Sequence, residues 1–309
     1  MKVTALAGGV GGAKLLVGLA RAAGEENLTA VVNTGDDAVI YGVHVSPDID
    51  ICTYWLAGVA DTDRGWGMRG DTFNFVEAMG LLGTENWFGL GDKDLATCLL
   101  RSERLAGGAT LTDATGEITR GFGIRSRVLP MSDDPVRTRL RTTDGRWLDF
   151  QEYFVRERTA PEIDEIRWEG IEDAKPGPDV LDVLHDCDTV VLCPSNPILS
   201  IAPIIGLPGI RDALRTHDRV VAVSPIIRGA ALKGPADRLL LRLAGESSAS
   251  AVARSYADFC DLFVVDRSDA EETDRVRSAG MNCAALDTVM TDHEAAAGLA
   301  SDLLEASAR

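Results

Sequence analysis

The chain has 309 residues, 45% of them hydrophobic and 26% charged, which is typical of a globular protein. Its formal net charge of −17 argues against a non-specific nucleic-acid binder, because such a protein needs a basic surface. No run reaches the roughly 18 apolar residues of a membrane span and no secretory signal begins the sequence, so we expect a cytoplasmic protein with no membrane partner.

The composition is also poor in lysine. Lys and Arg together number 31 against 48 acidic residues, and most of the basic residues are arginine. An acidic, lysine-poor surface favours solubility at high salt, so we interpret the chain as adapted to high salt, a hypothesis that stability measurements in KCl can test. The six cysteines form no Cys-x-x-Cys pair and the four histidines have no zinc-ligand spacing.

Short apolar runs bounded by turn residues predict six buried parallel strands, at 2–7, 28–33, 188–193, 219–223, 261–265 and 283–286. Helical patterns lie between them, at 12–23, 71–80, 92–105, 247–258, 269–279 and 292–306. This alternation predicts a single α/β domain over 1–309, with a Rossmann-like parallel sheet and helices on both faces.

The middle of the chain departs from the alternation. Residues 136–157 hold two alternating segments joined across Thr143-Asp144-Gly145, which predicts a β-hairpin. The acidic, proline-containing stretch 158–180 is interpreted as a surface connection. We therefore expect helices and a β-hairpin to be inserted into the sheet scaffold at about 67–175.

The first strand leads through a glycine loop, VTALAGGVGGAKL at 3–15, into a helix. The loop is neither a Walker A sequence nor a full G-x-G-x-x-G, because Ala13-Lys14-Leu15 breaks both patterns. Free backbone N–H groups and the helix dipole meet at such a junction, and the glycines leave the backbone open to a large anion. We predict a phosphate or pyrophosphate site formed by Gly9, Val10, Gly11, Gly12 and Lys14; a tight turn without a ligand is the alternative.

Four aspartates follow the second strand: Asp36, Asp37, Asp48 and Asp50. Carboxylates at this density beside a phosphate site suit Mg²⁺ or Mn²⁺, so all four are candidate metal ligands. The alternative places Asp36 and Asp37 in a turn and Asp48 at a helix cap. Neighbouring carboxylates tend to point in different directions, so we do not expect all four to bind the metal.

Three further loops lie at predicted strand ends or helix starts. Lys93 stands in the first turn of a helix, where its charge is unfavourable unless it contacts a ligand or solvent. Ser195-Asn196-Pro197 and Ser224-Pro225 each follow a strand, in the crevice where open α/β sheets bind ligands. We expect these two loops and the glycine loop to close on one nucleotide; ordinary strand-to-helix turns are the alternative.

These motifs, in their order along the chain, resemble those of the 2-phospho-L-lactate transferase family. The resemblance covers nearly the whole chain, to MTD at 290–292. The segments that carry it are GGVGGAK at 8–14, NTGDD at 33–37, SPDID at 46–50, GWG at 65–67, WFGLGDKD at 87–94, LPMSDDPVRT at 129–138, PSNP at 194–197 and SPIIRG at 224–229.

The resemblance implies an enzyme of deazaflavin coenzyme biosynthesis. It would move a phospholactyl or phosphoenolpyruvyl group from a guanosine diphosphate-linked donor, such as lactyl-2-diphospho-5'-guanosine, to 7,8-didemethyl-8-hydroxy-5-deazariboflavin. GMP would leave, and the product would be the coenzyme without its glutamate tail, F(420)-0. The resemblance also implies dependence on Mg²⁺ or Mn²⁺ and a homodimer.

By the same resemblance, Asp50 and Lys93 contact the deazaflavin, and Asp37 and Asp50 bind the metal. The Gly9–Gly12 loop, Ser195, Asn196 and the Ser224-Pro225 loop lie on the guanylate and diphosphate side. Asp37 or Asp50 would orient or deprotonate the attacking ribityl hydroxyl, so both are predicted catalytic residues.

Other function classes stay open on the sequence. A sugar-nucleotide transferase would use Asp48 and Asp50 as a D-x-D motif. An NAD(P)-dependent oxidoreductase would use the glycine loop, although the missing third glycine and the aspartates count against it. A regulator would bind guanosine diphosphate compounds without releasing GMP. The sequence does not identify the three-carbon acid.

Overall fold

The structure is a computed structural model that describes residues 1–308. Its strands are β1 Val3–Ala7, β2 Leu28–Val32, β3 Ala38–Ile40, β4 Val43–Val45, β5 Arg127–Pro130, β6 Arg137–Thr142, β7 Trp147–Asp149, β8 Ile163–Glu169, β9 Thr189–Leu192, β10 Val220–Val223, β11 Ile226–Ile227, β12 Ala230–Ala231, β13 Leu262–Asp266 and β14 Asn282–Leu286.

Its α-helices are α1 Gly9–Ala23, α2 Pro47–Leu56, α3 Asn74–Leu81, α4 Asp92–Ala106, α5 Leu111–Gly121, α6 Val180–Asp186, α7 Ala202–Gly206, α8 Ile210–Thr216, α9 Ala236–Ala244, α10 Ala249–Tyr256, α11 Thr273–Ser278 and α12 His293–Ser307. Two 3₁₀ turns at Glu25–Asn27 and Arg267–Glu272 and two π-helical turns at Glu152–Arg156 and Pro197–Ile201 complete the helical segments of the described residues.

Seven strands form one parallel sheet in the order β14-β13-β10-β9-β1-β2-β5. Strand β1 is central: Val3 pairs with Leu28 on one side and with Thr189 on the other. All six predicted strands are present, so the predicted α/β fold with a Rossmann-like sheet is confirmed. Strand β5 at the edge is the additional one.

The two faces of this sheet are covered by different helices, because alternate residues of a strand point to opposite sides. On one face Leu6 and Leu192 belong to a core that includes side chains of α6, α7, α8, α10 and α11. On the other face Ala5 and Val191 pack with side chains of α1, α2 and α12. Full burial of one such aliphatic side chain contributes about 1.5–3 kcal/mol, so each face is a stabilising layer.

Helices α1 and α12 lie against each other on the second face. Leu15, Leu16 and Leu19 of α1 are fully buried there, and Leu303 of α12 belongs to the same core. At Gly18 the backbones come so close that a Cβ would lie 2.1 Å from the carbonyl oxygen of Ala296. A glycine inside a helix costs stability, and here close helix packing accounts for it.

The middle of the chain forms a second, antiparallel sheet in the order β7-β6-β8. The predicted hairpin is confirmed as β6 and β7. The interpretation of 158–180 as a plain surface connection was wrong, since β8 forms within it. A register shift opposite Arg141 and Thr142 interrupts the alternation of apolar residues in β8, which hides the strand in the sequence.

Residues within the predicted insertion at 67–175 also serve the main sheet, because β5 pairs with β2 through Val31 and Leu129. Among residues 1–308, no single helix is long and apolar enough to cross a membrane. The helical segments Pro197–Gly206 and Ile210–Thr216 reach that length only together and are bent by 88°.

Candidate functional site

The glycine loop lies where β1 ends and α1 begins, beside the loop that follows β9. The Ser195 hydroxyl joins the two, since it accepts the Gly8 N–H at 3.0 Å and donates to the Gly8 carbonyl at 2.7 Å. A Cβ at Gly11 would lie 2.4 Å from the Pro194 carbonyl oxygen, and one at Gly12 would lie 2.6 Å from Ser195 Oγ. These two glycines are therefore required by the close packing of the two loops.

The glycines do not all open the backbone to an anion, as the sequence suggested. A Cβ at Gly8 would lie 2.3 Å from Asp48 Oδ2, so that position is also filled by the protein. Gly9 differs, because its φ is +65° and a Cβ there would meet nothing within 4 Å. The open side of the loop is thus at Gly9, where the left-handed conformation favours glycine.

The start of α1 keeps two backbone donors available. The first four N–H groups of a helix have no partner within it. Here the Gly8 N–H is bound by Ser195, and the Gly9 N–H donates to Asp48 Oδ1 at 2.8 Å. The N–H groups of Val10 and Gly11 follow in the same turn, so they are the donors that an anion at this end of the helix would meet.

Asp48 connects the glycine loop to the strand β2 side of the site. Its Oδ2 accepts a hydrogen bond of 3.0 Å from Asn33 Nδ2, in addition to the bond from Gly9. Burial raises the pKa of Asp48 to about 6, although both hydrogen bonds oppose the rise. Its carboxylate therefore does not cap its own helix, α2, but fixes the position of the glycine loop.

Asp36 and Asp37 lie at the turn that follows β2, which the Asp37 N–H closes onto the Thr34 carbonyl at 3.2 Å. Asp37 Oδ2 accepts the Ser46 hydroxyl and lies 2.8 Å from His44 Nε2. The turn at Asp36 and Asp37, which was the alternative to a metal site, is therefore present. Both carboxylates are nevertheless buried.

One carboxylate oxygen of each of these two aspartates has no hydrogen-bond partner. Asp36 Oδ1 and Asp37 Oδ1 are buried and accept no hydrogen bond. Burial, followed by repulsion from Asp48, raises the pKa of Asp36 well above its usual range. Buried oxygens without a donor are costly unless a cation or a proton satisfies them. The donor set therefore fits a hard divalent cation.

Asp50 follows two residues after Asp48 in α2 and is paired with a cationic side chain of the protein. Arg101 of α4, fully buried, donates Nη1 to Asp50 Oδ2 at 3.1 Å and Nη2 to Asp50 Oδ1. A second contact of Nη1 reaches the His44 carbonyl at 3.2 Å. Burial raises the pKa of Asp50, and the guanidinium limits the rise. Asp50 is thus a fixed carboxylate whose two oxygens already have donors.

Asp94 extends the carboxylate cluster on the α4 side. Its Oδ1 accepts a 2.6 Å hydrogen bond from the Tyr54 hydroxyl, and one of its oxygens lies within 4.8 Å of an Asp50 oxygen and of Cys98 Sγ. Burial, and then repulsion from Asp50, raises the pKa of Asp94 to about 7. Asp94 and Arg101 are seven residues apart, so both face the site from one side of α4.

Lys93 and Lys14 occupy separate edges of the site. The ammonium of Lys93 is exposed and donates to the Arg69 carbonyl at 3.0 Å. That of Lys14 donates to the Met290 carbonyl at 2.8 Å and lies 5.7 Å from the centre of the Trp55 ring. Burial, followed by the charge of Lys233, lowers the pKa of Lys14. Neither lysine is paired with a carboxylate among residues 1–308.

The loops after β9 and β10 differ in what their polar groups do. Asn196 Oδ1 accepts the N–H groups of Ile198 and Leu199, each at 3.0 Å, and so caps the helical turn that Pro197 begins. The Ser224 hydroxyl is bonded to the N–H and the carbonyl of Ile226, within its own turn, and Pro225 is partly buried beside it. These side chains shape turns at the same sheet edge as the glycine loop.

The structure therefore brings the glycine loop, Ser195 and the four aspartates into one buried region, with Lys14 and Lys93 at its edges. The Ser224-Pro225 loop lies farther along the sheet edge, beyond β9, and makes no hydrogen bond to the glycine loop. Sequence analysis missed four contributors: Asn33, His44, Asp94 and Arg101. The spacing of Asp94 and Arg101 on one helix face was the available signal for two of them.

Comparisons with known proteins agree with this architecture. The family model 2-phospho-L-lactate transferase CofD matches residues 3–304. A phosphoenolpyruvate transferase of Streptomyces griseus is 40% identical over 311 residues, covering 99% of this chain and 98% of the relative. A 2-phospho-L-lactate transferase of Methanosarcina mazei is 40% identical over 299 residues, covering 97% and 98%. A solved structure from Bacillus halodurans, of the UPF0052 family, has a TM-score of 0.64 and 15% identity over 98% of both chains, a similarity of fold.

Proposed function

The chain belongs to the 2-phospho-L-lactate transferase CofD family, and from that membership we propose that it moves a phosphoryl group carrying a three-carbon acid from a guanosine diphosphate-linked donor to 7,8-didemethyl-8-hydroxy-5-deazariboflavin, with release of GMP. The observation that carries the proposal is the hydrogen bond between the Gly9 N–H and Asp48. It joins an anion-binding helix start to a buried carboxylate cluster. A phosphoryl transfer needs both features within reach of one phosphorus atom.

The acid of the donor is proposed as lactate or enolpyruvate. Relatives at 40% identity carry both names, 2-phospho-L-lactate transferase and phosphoenolpyruvate transferase. The two acids differ by reduction of one carbon–carbon double bond, which turns a methylene into a methyl group, and a hydrophobic contact discriminates such a difference weakly. A sugar-nucleotide transferase and an NAD(P)-dependent oxidoreductase are not favoured by the family match.

The donor's diphosphate would bind at the start of α1. The N–H groups of Val10 and Gly11 and the positive end of the helix dipole would stabilise negative charge as it develops on departing GMP. Because Ser195 and Asp48 fix the loop through Gly8 and Gly9, these donors are already oriented in the folded protein. Little reorganisation is then required during the reaction.

The acceptor hydroxyl would approach from the carboxylate side. Asp50 is held by two Arg101 nitrogens, and Asp37 is held by Ser46 and lies beside His44. Either carboxylate would orient the hydroxyl and accept its proton as the oxygen attacks phosphorus. A direct displacement of this kind needs no covalent intermediate with the protein.

A Mg²⁺ or Mn²⁺ ion would be held by Asp37 and Asp36, whose Oδ1 atoms are buried without donors. When bound, such an ion neutralises charge on the phosphoryl oxygens. Asp48 and Asp50 are less suited as principal ligands, because both oxygens of each already accept hydrogen bonds.

We also propose a homodimer, as the family resemblance implies.

The first test is a fluorescence titration of the purified protein with the free deazaflavin, with and without Mg²⁺. We expect saturable binding that is tighter with the metal. The lactyl, enolpyruvyl and glyceryl guanosine diphosphate compounds would then be supplied with the acceptor, and GMP release measured for each. Absence of deazaflavin binding by the folded protein at high salt would contradict the proposal and favour a sugar-nucleotide transferase.

A further inference from the structure

The turn that carries Asp36 and Asp37 is held by the inserted antiparallel sheet as well as by the main sheet. The Thr138 N–H of β6 donates to the Gly35 carbonyl at 2.7 Å. From the segment after β7, Gln151 Nε2 donates to the Asp36 carbonyl at 3.2 Å, and the Gln151 side chain is buried. The backbone of the turn is therefore fixed against the inserted sheet independently of any ion.

The two carboxylates of this turn have different surroundings. The Asp37 carboxylate has two side-chain partners, as described above, whereas Asp36 Oδ1 has none. Burial, followed by repulsion from Asp48, raises the pKa of Asp36. The Thr138 and Asn33 side chains oppose that rise, which places both of them beside the Asp36 carboxyl group. Asp36 thus faces the inserted sheet.

Gly35 leaves the space in which the oxygens around Asp36 meet. A Cβ at Gly35 would lie 2.8 Å from Thr138 Oγ1 and 3.0 Å from Asn33 Oδ1. The orientation of Asn33 is fixed, because its Oδ1 accepts the Gly35 N–H at 2.8 Å and its Nδ2 donates to Asp48. The hydroxyl and amide oxygens therefore converge on the side of the turn where glycine has no side chain.

The Thr138 hydroxyl is the group in this cluster that calls for a ligand. Thr138 is only 2% exposed, and its Oγ1 has no hydrogen-bond partner. A buried hydroxyl of this kind destabilises a protein unless a bound group satisfies it. Carboxylate, amide and hydroxyl oxygens are hard donors, and together they suit Mg²⁺ or Mn²⁺.

We propose that the Thr138 hydroxyl is a ligand of the divalent cation at Asp36, so that the inserted sheet forms part of the metal site. The inference deepens the proposed function and rests on it for the identity of the ion. In the sequence, Thr138 only ends the motif at 129–138 and has no assigned role. Because β6 supplies an N–H to the turn and an oxygen to the ion, ion binding fastens the inserted sheet to the main sheet and stabilises the fold.

The test measures Mn²⁺ binding by the full chain in calorimetric titrations, together with thermal unfolding in EDTA and in Mn²⁺. We expect Thr138→Val to weaken Mn²⁺ binding by about tenfold or more, since even indirect contacts to a metal have effects of this size. Valine keeps the shape of the side chain and the backbone N–H, so only the hydroxyl is lost. Thr138→Ser keeps the hydroxyl and should retain most of the affinity.

Thr189→Val is the matched control. Thr189 begins β9 and pairs with Val3, at the end of the parallel sheet away from the glycine loop, and its Oγ1 is likewise buried without a partner. In EDTA neither valine variant should unfold at a lower temperature than the wild type, because each loses an unsatisfied hydroxyl. Mn²⁺ should raise the unfolding temperature of Thr189→Val as much as that of the wild type, and that of Thr138→Val by less.

Four results would overturn the assignment of Thr138. They are wild-type Mn²⁺ affinity in Thr138→Val, an equal loss of affinity in Thr189→Val, an equal loss in Thr138→Ser, and no Mn²⁺ binding by the wild type. In the last case a proton, not an ion, would satisfy Asp36. Circular dichroism in EDTA should show that all variants are folded.

The metal ligand and the proposed function can fail separately. If Mn²⁺ binding depends on Thr138 but the protein does not bind the deazaflavin, the ligand assignment holds and the function is removed. If the deazaflavin binds and Thr138→Val leaves the Mn²⁺ affinity unchanged, the function holds and the ligand assignment is removed.

Discussion

The pairing of Asp50 with Arg101 determines what a substitution at either residue does. The guanidinium is fully buried, and its Nε has no hydrogen-bond partner. Asp50 is therefore the carboxylate that balances its charge. Removing one member of a buried ion pair leaves the other charge uncompensated, which commonly costs about 3–5 kcal/mol. A loss of activity on changing Asp50 must accordingly be separated from a loss of folding.

We expect Asp50→Asn to reduce turnover at least about 100-fold, the usual effect of losing a positioned base. It should also lower the free energy of unfolding, because Arg101 stays charged. The double variant Asp50→Asn/Arg101→Met removes both charges and should regain stability without regaining turnover. GMP release and urea unfolding measure the two effects. Near-normal turnover in either folded variant would show that Asp50 has no catalytic role.

The raised pKa of Asp94 predicts that the free energy of unfolding depends on pH. Because burial raises its pKa to about 7, the folded state holds a proton that the unfolded chain releases near pH 4. The resulting stabilisation is complete below about pH 4 and is lost as the pH rises through 7. In Asp94→Asn this loss disappears, while Tyr54 keeps an acceptor.

Urea unfolding in EDTA at several pH values between 4 and 8 measures the difference. The wild type should lose about 2 kcal/mol more than Asp94→Asn across this range, a figure reduced from the full shift because Asp94 is only partly shielded from solvent. The variant should therefore be the more stable protein at pH 8. Parallel pH profiles for the two proteins would contradict the assignment.

At the scale of elements, the sequence was informative wherever one periodicity ran without interruption. The buried strands β1, β9 and β10 are short apolar runs and were predicted closely. Strand β8 was missed because its register shift breaks the alternation. Strand β5, Arg127–Pro130, was missed because it is four residues long and ends in proline. Such strands are specified by their neighbours in the sheet rather than by their own pattern.

The residues of the candidate site were likewise predicted only in part from the sequence. The glycine loop and the aspartates were visible as local clusters, so the sequence identified them before the fold was known. Arg101 was not predicted, because an arginine in a helix usually faces solvent. Only the packing of α4 against strand β4 brings it to Asp50.

The contact of α1 with α12 gives a pair of opposite predictions for glycine. A Cβ at Gly18 would lie 2.1 Å from a backbone oxygen of α12, whereas a Cβ at Gly298 of α12 would meet nothing within 4 Å. We expect Gly18→Ala to destabilise the protein by about 1–3 kcal/mol through overpacking. Gly298→Ala should stabilise it by about 0.5–1 kcal/mol, as in any exposed helix interior.

Thermal or urea unfolding of the two single variants tests this directly. The chemical change is identical in both, so the sign of the effect reports the helix contact alone. Equal effects of the two substitutions would contradict the close approach of α1 and α12 at Gly18.

In the molecule as a whole, acidic residues outnumber basic ones, and the surface carries many ion pairs between arginine and carboxylate side chains. Exposed pairs such as Arg211–Asp258 contribute little each and are weakened by salt. Salt also weakens the repulsion among the unpaired carboxylates, which stabilises the folded protein. At a net charge of −17, this stabilisation should exceed the loss from weakened ion pairs.

We therefore expect the free energy of unfolding to rise with KCl, by about 1 kcal/mol or more between 0.1 and 2 M. Choline chloride at equal ionic strength would distinguish screening by ions from specific binding of K⁺. A curve that is flat from low salt upward would contradict adaptation to high salt.

Because β1 is a central strand, a newly synthesised chain can complete the sheet around it only late in synthesis. Strand β1 is complete after seven residues, but its second neighbour, β9, is made only at residues 189–192. At a synthesis rate of about 5–20 residues per second, on the order of 10 seconds passes between them. During that interval one edge of a strand that is fully buried in the folded protein has no partner, a state that favours association with other chains. The glycine loop, which Ser195 holds in place, acquires its shape only afterwards, so an incomplete polypeptide ending before β9 lacks the loop conformation of the proposed donor site.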